Sequence, residues 1–261
     1  MTRVAAWCVG VALGIAAAPA LAAIHTEPVE YTDGDPALQG WLAYDNSTIA
    51  KRPGVIVVHE WRGLNDYAKH RAEQLAQLGY IAFAIDMYGK SVYAKDHEEA
   101  GHLSGVFRSD RTLMRRRAHA GLEVLKRQPL TDTTRLAAIG YCFGGTTALE
   151  LARVGEPLRG VASIHGVLDT PHPEDAKQIA GKVLVLQGAD DPYVQPDQIA
   201  AFEQEMKAAG VDYKIVTYPG AVHSFTVPDA GNDPSTGAAY HPDADRQSWA
   251  ELGTFLTTIF K

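Results

Sequence analysis

One hexapeptide restricts this chain more than any other stretch: Gly140-Tyr141-Cys142-Phe143-Gly144-Gly145. A short apolar run, Leu136–Ile139, leads straight into it, and a helix-patterned run, Thr147–Ala152, leaves it. A strand must therefore become a helix within a few residues. Glycines two positions before and two after Cys142 allow this, because a larger side chain at either place would crowd the turn. The residue at the apex is pushed out at the carboxyl end of a strand in a strained backbone conformation. The helix N-terminus directs partial positive charge at the sulfur, which favours thiolate. The spacing is G-x-C-x-G, a nucleophile elbow with a thiol in place of the hydroxyl. The plainer alternative is a small buried cysteine closing a βα unit.

The rest of the chain supplies a setting for such a turn. Short β-branched runs alternate with helical patterns, which predicts a single α/β domain: a mostly parallel sheet flanked by helices. Leu38–Tyr44 reads as an early strand or hairpin. Core strands are expected at Gly54–His59, Tyr80–Asp86, Leu136–Ile139, Val161–His165, Val183–Gln187 and Tyr213–Tyr218. Helices are expected at Asp66–Leu78, Gly105–Arg127, Thr146–Val154, Pro196–Ala209 and Asp245–Phe260. Asp66 is the expected N-cap of the first, and Gly79 its C-terminal stop. Residues 228–243 are rich in Gly, Pro, Asn, Asp and Ser, and read as a long loop of the functional or mobile kind.

The first residues read as a leader. Arg3 supplies a positive charge, Val4–Ala18 an apolar run, and Ala20-Leu21-Ala22 a cleavage signal, so residues 1–22 are expected to be a signal peptide and 23–261 the single α/β domain. Cleavage predicts a periplasmic or secreted protein with no stable membrane insertion. Of the two cysteines, Cys8 would leave with the leader, and Cys142 would remain with no disulfide partner. Loss of Arg3 moves the formal charge from −7 to one unit lower, and a mildly acidic chain carries no footprint for nucleic acid. The arginines at 108, 111, 115, 116 and 117 read as a solvated helix face.

A thiol nucleophile needs a base and an acid, and in an α/β-hydrolase these follow it in the order acid, histidine. His165, His223 and His241 compete for the base. His223 is best placed, because it follows the last strand through Pro219-Gly220-Ala221. His165 ends an inner strand and is expected to line the site, and His241 to lie on the surface. Asp190 and Asp191 compete for the acid after Val183–Gln187, with Asp191 preferred and Asp190 read as a turn residue.

These residues resemble the dienelactone hydrolase family. The motifs are His59-Glu60-Trp61-Arg62-Gly63-Leu64, Asp86-Met87-Tyr88-Gly89, the cysteine hexapeptide, Asp191-Pro192-Tyr193-Val194 and Ala221-Val222-His223-Ser224-Phe225. The resemblance implies an α/β-hydrolase fold and a Cys142, Asp191, His223 triad. It implies a Glu60 that touches the thiol and helps ionise it, and an oxyanion hole from the N–H groups of Phe143 and Trp61. Family arginines that hold a substrate carboxylate have no counterpart here; those places read Tyr88-Gly89-Lys90 and Thr226-Val227-Pro228. Lys90, Tyr88 and Arg62 are therefore the expected substrate contacts. The expected activity is hydrolysis of a small ester or lactone without cofactor or metal, by a monomer or small homo-oligomer. A broad carboxylesterase or thioesterase, or a non-catalytic binding protein on the same fold, are the alternatives.

Overall fold

The computed structural model describes residues 24–261; the expected leader and Cys8 lie outside the described residues. Eight strands form one sheet in the order β1-β2-β4-β3-β5-β6-β7-β8. β1 (Ile24–Thr32) and β2 (Ala37–Asp45) form an antiparallel hairpin, and β2 runs antiparallel to β4 (Ile81–Ile85). From β4 onward the sheet is parallel, through β3 (Arg52–Val58), β5 (Thr131–Tyr141), β6 (Gly160–Ile164), β7 (Lys182–Gly188) and β8 (Tyr213–Tyr218).

Period-two alternation divides the core. Ile56, Val58, Leu136, Ala138, Val183 and Val185 face one side of the sheet, and Val55, Val57, Ala137, Ile139, Leu184 and Leu186 the other. On the first side they meet residues of α3 (Arg111–Arg127), α4 (Phe143–Arg153) and α5 (Pro196–Ala209). On the second they meet α1 (Asp66–Gln77) and α6 (Pro242–Ile259). A sheet covered on both faces has strands that read as unbroken apolar runs. The remaining helix, α2 (His97–Ser109), packs Phe107 beside Tyr88 and Phe143.

Four sequence expectations change. The hairpin begins at Ile24, because β1 is an edge strand with few buried residues and a Pro28 that only an edge tolerates. The helix expected over Gly105–Arg127 is two helices. Asp110 ends α2, and its carboxylate accepts from the Leu113 N–H at 2.9 Å to start α3. The N-cap of α1 is Asn65, whose side chain accepts from the Ala68 N–H at 3.1 Å, with Asp66 in the first turn. The arginine cluster is not a solvated face. Arg117 is buried and donates to the Met87 carbonyl, and Arg115 pairs with Glu150 and Asp175.

Candidate active site

The elbow forms where β5 meets α4. Cys142 has φ +53°, and α4 begins at the next residue. A Cβ on Gly140 would stand 1.9 Å from the Gly144 carbonyl oxygen, and one on Gly144 would stand 2.2 Å from the Val58 oxygen. Only glycine lets strand, turn and helix approach so closely. The strained apex is held from behind: the Cys142 N–H donates to the Ile164 carbonyl at 3.0 Å and to His165 Nδ1 at 3.1 Å.

Cys142 Sγ stands 3.1 Å from His223 Nε2, and His223 Nδ1 stands 2.9 Å from Asp191 Oδ2. Asp191 also accepts from Gln187 Nε2 at 2.6 Å and from the Tyr193 N–H at 2.8 Å, so its carboxylate is fixed on three sides. Cys142 is 7% exposed and His223 8%, so both are largely closed off from solvent. Burial opposes charge on His223. The facing Cys142 sulfur and the hydrogen bond donated to Asp191 outweigh it and hold the imidazole pKa well above its ordinary value.

His223 sits in a loop pinned twice. Its N–H donates to the Gly237 carbonyl at 3.2 Å, and its carbonyl accepts from the Ala239 N–H at 3.0 Å. The long 228–243 stretch thus clamps the histidine backbone. Asp190 points elsewhere, accepting from the Gly220 N–H at 3.0 Å in the turn that leads to His223. His241 caps α6, with Nδ1 accepting from the Ala244 N–H, so it is a structural residue and not a surface bystander.

The opposite wall comes from the loops after β3 and β4. Phe143 and Trp61 each present a backbone N–H with no acceptor among the described residues. Tyr88 Oη donates to the Trp61 carbonyl at 2.9 Å and so fixes the Trp61–Arg62 peptide, one residue beyond the Trp61 N–H. Burial, followed by the charge of Cys142, pushes the Tyr88 phenol well above its usual range, so it remains a donor. Tyr88, Phe107 and Phe143 pack with ring centroids 5.6 to 6.0 Å apart. His59 lies against Tyr88 and Phe143; its Nδ1–H donates to the Glu60 carbonyl, and Nε2 accepts from the Met87 N–H. Burial keeps that imidazole neutral.

Two expected contacts are absent from this arrangement. Glu60 is buried and accepts from Ser224 Oγ at 3.3 Å, while the thiol faces His223. Burial raises the Glu60 pKa, and His223 and Ser224 oppose that shift. Lys90 Nζ donates to Glu30 at 2.6 Å, on edge strand β1, away from the elbow at β5. Arg62 donates to the Ala94 carbonyl at 3.4 Å and has no carboxylate partner among the described residues. Sequence reasoning missed Gln187, Ser224 and Thr226, polar residues at strand or loop ends that the fold buries or half-buries. No group of three His, Cys, Asp or Glu side chains among the described residues is arranged to hold a metal.

A mostly parallel sheet whose strand-to-helix elbow brings Cys142 against a histidine from the loop after the last strand is the architecture of the α/β-hydrolase class. Within it, the model of the dienelactone hydrolase family matches residues 38–260, and the chain belongs to that family. It is a carboxylic ester hydrolase with a small-molecule substrate. A Yersinia pestis protein named as a carboxymethylenebutenolidase is 27% identical over 239 residues, covering 84% of this chain and 83% of its own. The solved structure of m3DLH is 41% identical with a TM-score of 0.88, over 91% of this chain and 99% of its own. That of the dienelactone hydrolase-like promiscuous phosphotriesterase P91, from metagenomic libraries, is 40% identical with a TM-score of 0.86, over 92% and 100%.

Proposed function

We propose that the chain is a thiol-dependent hydrolase of lactones and small esters that works through a Cys142 acyl-enzyme. The observation that carries this reading is the relay from Cys142 Sγ through His223 to Asp191, with contacts of 3.1 and 2.9 Å. The thiolate attacks the ester carbonyl carbon, forming a C–S bond as the carbonyl electron pair moves to oxygen. The N–H groups of Phe143 and Trp61 receive that oxyanion. The C–O bond breaks, and the leaving oxygen takes the proton from His223 Nε2. In a lactone the leaving oxygen stays tethered to the acyl group. Neutral His223 then takes a proton from water, whose oxygen attacks the thioester. The C–S bond breaks and Cys142 leaves as thiolate, paired again with imidazolium. Asp191 holds one tautomer throughout.

The substrate class follows from the wall opposite His223. Trp61 is partly exposed and Tyr88 lies beside it, backed by the buried rings of Phe107 and Phe143, and Lys90 is engaged by Glu30. Neutral aryl esters therefore suit the site at least as well as anionic lactones. The phosphotriesterase activity in the name of P91 adds neutral aryl phosphotriesters as a second class to test.

The test is acyl-enzyme trapping. With p-nitrophenyl acetate, rapid quench and peptide mass mapping should place the acetyl group on Cys142, with a burst of nitrophenol. Cys142→Ala should lose about 10³-fold or more in kcat and keep its fold, and Cys142→Ser should keep only a small fraction. Hydrolysis at the parental rate by Cys142→Ala, or an adduct on another residue, overturns the reading.

A further inference from the structure

His165 is hydrogen-bonded to the Cys142 backbone and to the loop that carries His223. It follows β6 with φ +39°, a left-handed conformation uncommon outside glycine. Its Nδ1 faces the Cys142 N–H at 3.1 Å. A backbone N–H can only donate, so Nδ1 is the acceptor and the ring proton sits on Nε2. Nε2 in turn lies 2.8 Å from Thr226 Oγ1, in the loop that carries His223 three residues earlier. The Thr226 hydroxyl is held as well: Tyr67 Oη lies 2.6 Å from it, Arg71 Nε donates to Tyr67 Oη at 3.2 Å, and Arg71 Nη2 donates to the Thr226 carbonyl at 3.1 Å. Arg71 is anchored by Asp245 on α6.

The His165 ring is completely buried and stands edge-on to the His223 ring, with centroids 5.3 Å apart. Burial, helped by the positive charge of His223, keeps it neutral. A neutral ring can approach the imidazolium without repelling it. Three non-glycine residues with positive φ surround the site: Cys142, His165 and Ser224. Such conformations persist only where the surroundings over-determine them. His165 supplies part of that constraint to the elbow and to the histidine loop together.

We propose that His165 is a positioning residue: a neutral imidazole, locked in its Nε2–H tautomer by Thr226, that braces the nucleophile elbow against the His223 loop and so sets the sulfur-to-imidazole distance. The proposal rests on the reading of Cys142 and His223 as the reacting pair. Asp191, Glu60, Tyr88 and Tyr193 are the other titratable groups facing that pair, and all are left intact by the variants below.

The decisive variant is Thr226→Val, which keeps the shape of the side chain and removes the acceptor of the His165 proton. Thr226→Ser restores it, and His165→Ala removes the brace. Three quantities are read: kcat, KM, and the pH midpoint of Cys142 alkylation by iodoacetamide, each corrected for folded fraction by near-UV circular dichroism. Thr226→Val and His165→Ala should lower kcat by roughly 10- to 100-fold, the scale on which small misplacements of reacting groups act, with KM within about twofold. Their alkylation midpoint should move toward that of an ordinary thiol. Thr226→Ser should return all three to near the parental values. Activity that falls only with the folded fraction, at an unchanged alkylation midpoint, would reduce His165 to a packing residue and overturn the proposal. Full activity after complete alkylation of Cys142 would instead overturn the underlying reading of the nucleophile.

Discussion

On the β5, β6 and β7–β8 side of the cleft, Cys142, His165, His223 and Asp191 each meet a polar partner at 3.1 Å or less. Beside them, Trp61, Tyr88, Phe107 and Phe143 meet their neighbours as rings, with His97 stacked on Trp61 at 5.3 Å. The first wall is directional. Each hydrogen bond accepts one atom type in one orientation, and a missing partner leaves a buried polar group unsatisfied. The second wall is packed, and packing tolerates swaps that conserve volume. The contrast implies that changes to the directional wall abolish turnover, while changes to the packed wall alter which substrate is turned over.

The two adjacent carboxylates give the sharpest test of that contrast. Asp191→Asn should lower kcat by about 10²- to 10⁴-fold, since an amide in place of the carboxylate favours the wrong tautomer of the histidine. Asp190→Asn loses only part of a turn contact with the Gly220 N–H and should stay within a few-fold of the parent. Steady-state kinetics on one aryl ester decides; equal losses at both positions would show that the directional wall is not confined to Asp191.

A smaller effect should separate the two walls at Tyr88. Tyr88→Phe keeps the packed ring and deletes the hydrogen bond to the Trp61 carbonyl. The expected cost is about 1 kcal/mol, or several-fold in kcat/KM, through a looser Trp61–Arg62 peptide beside the proposed oxyanion donor. A loss as large as that of Asp191→Asn would mean that the aromatic wall is as directional as the other.

Stability against pH offers a further comparison. His59 and His165 are buried and neutral, with pKa values held below the ordinary 6.5. Their contribution is present above about pH 6.5 and is lost as pH falls below it, because the unfolded chain then binds protons that the folded chain refuses. His223, with its pKa raised, acts in the opposite sense, contributing fully below 6.5 and losing that contribution as pH rises through its folded value. The urea midpoint should therefore drop between about pH 6.5 and 5, and drop less steeply in His59→Asn. A midpoint that is flat or rises on acidification would contradict the assignment of two neutral imidazoles.

The smallest effect is expected at Lys90. Its ammonium is exposed and engaged by Glu30 on the hairpin edge, and exposed pairs of this kind contribute little. Lys90→Ala should change kcat/KM by less than about twofold for neutral and anionic esters alike. Selective loss on the anionic ester, measured at low salt, would show that Lys90 reaches the substrate.

The sheet interior and the elbow turn were legible in the chain alone. Buried parallel strands such as Val55–Val58 are unbroken apolar runs, and a tight strand-to-helix turn needs the glycines that flank Cys142. The order Cys142, Asp191, His223 is likewise a property of the chain. Edge and surface elements were less legible. β1 has little apolar patterning because one of its sides has no neighbouring strand. The break at Asp110 lies within a polar stretch where one helix and two helices read alike. Folding alone brings Lys90 to Glu30, Glu60 to Ser224, and His165 between the elbow and Thr226 across 61 positions of chain. The reason is physical. Burial and turn geometry are carried by neighbouring residues, whereas the direction of a polar side chain depends on which partner the folded chain brings within 3 Å or so.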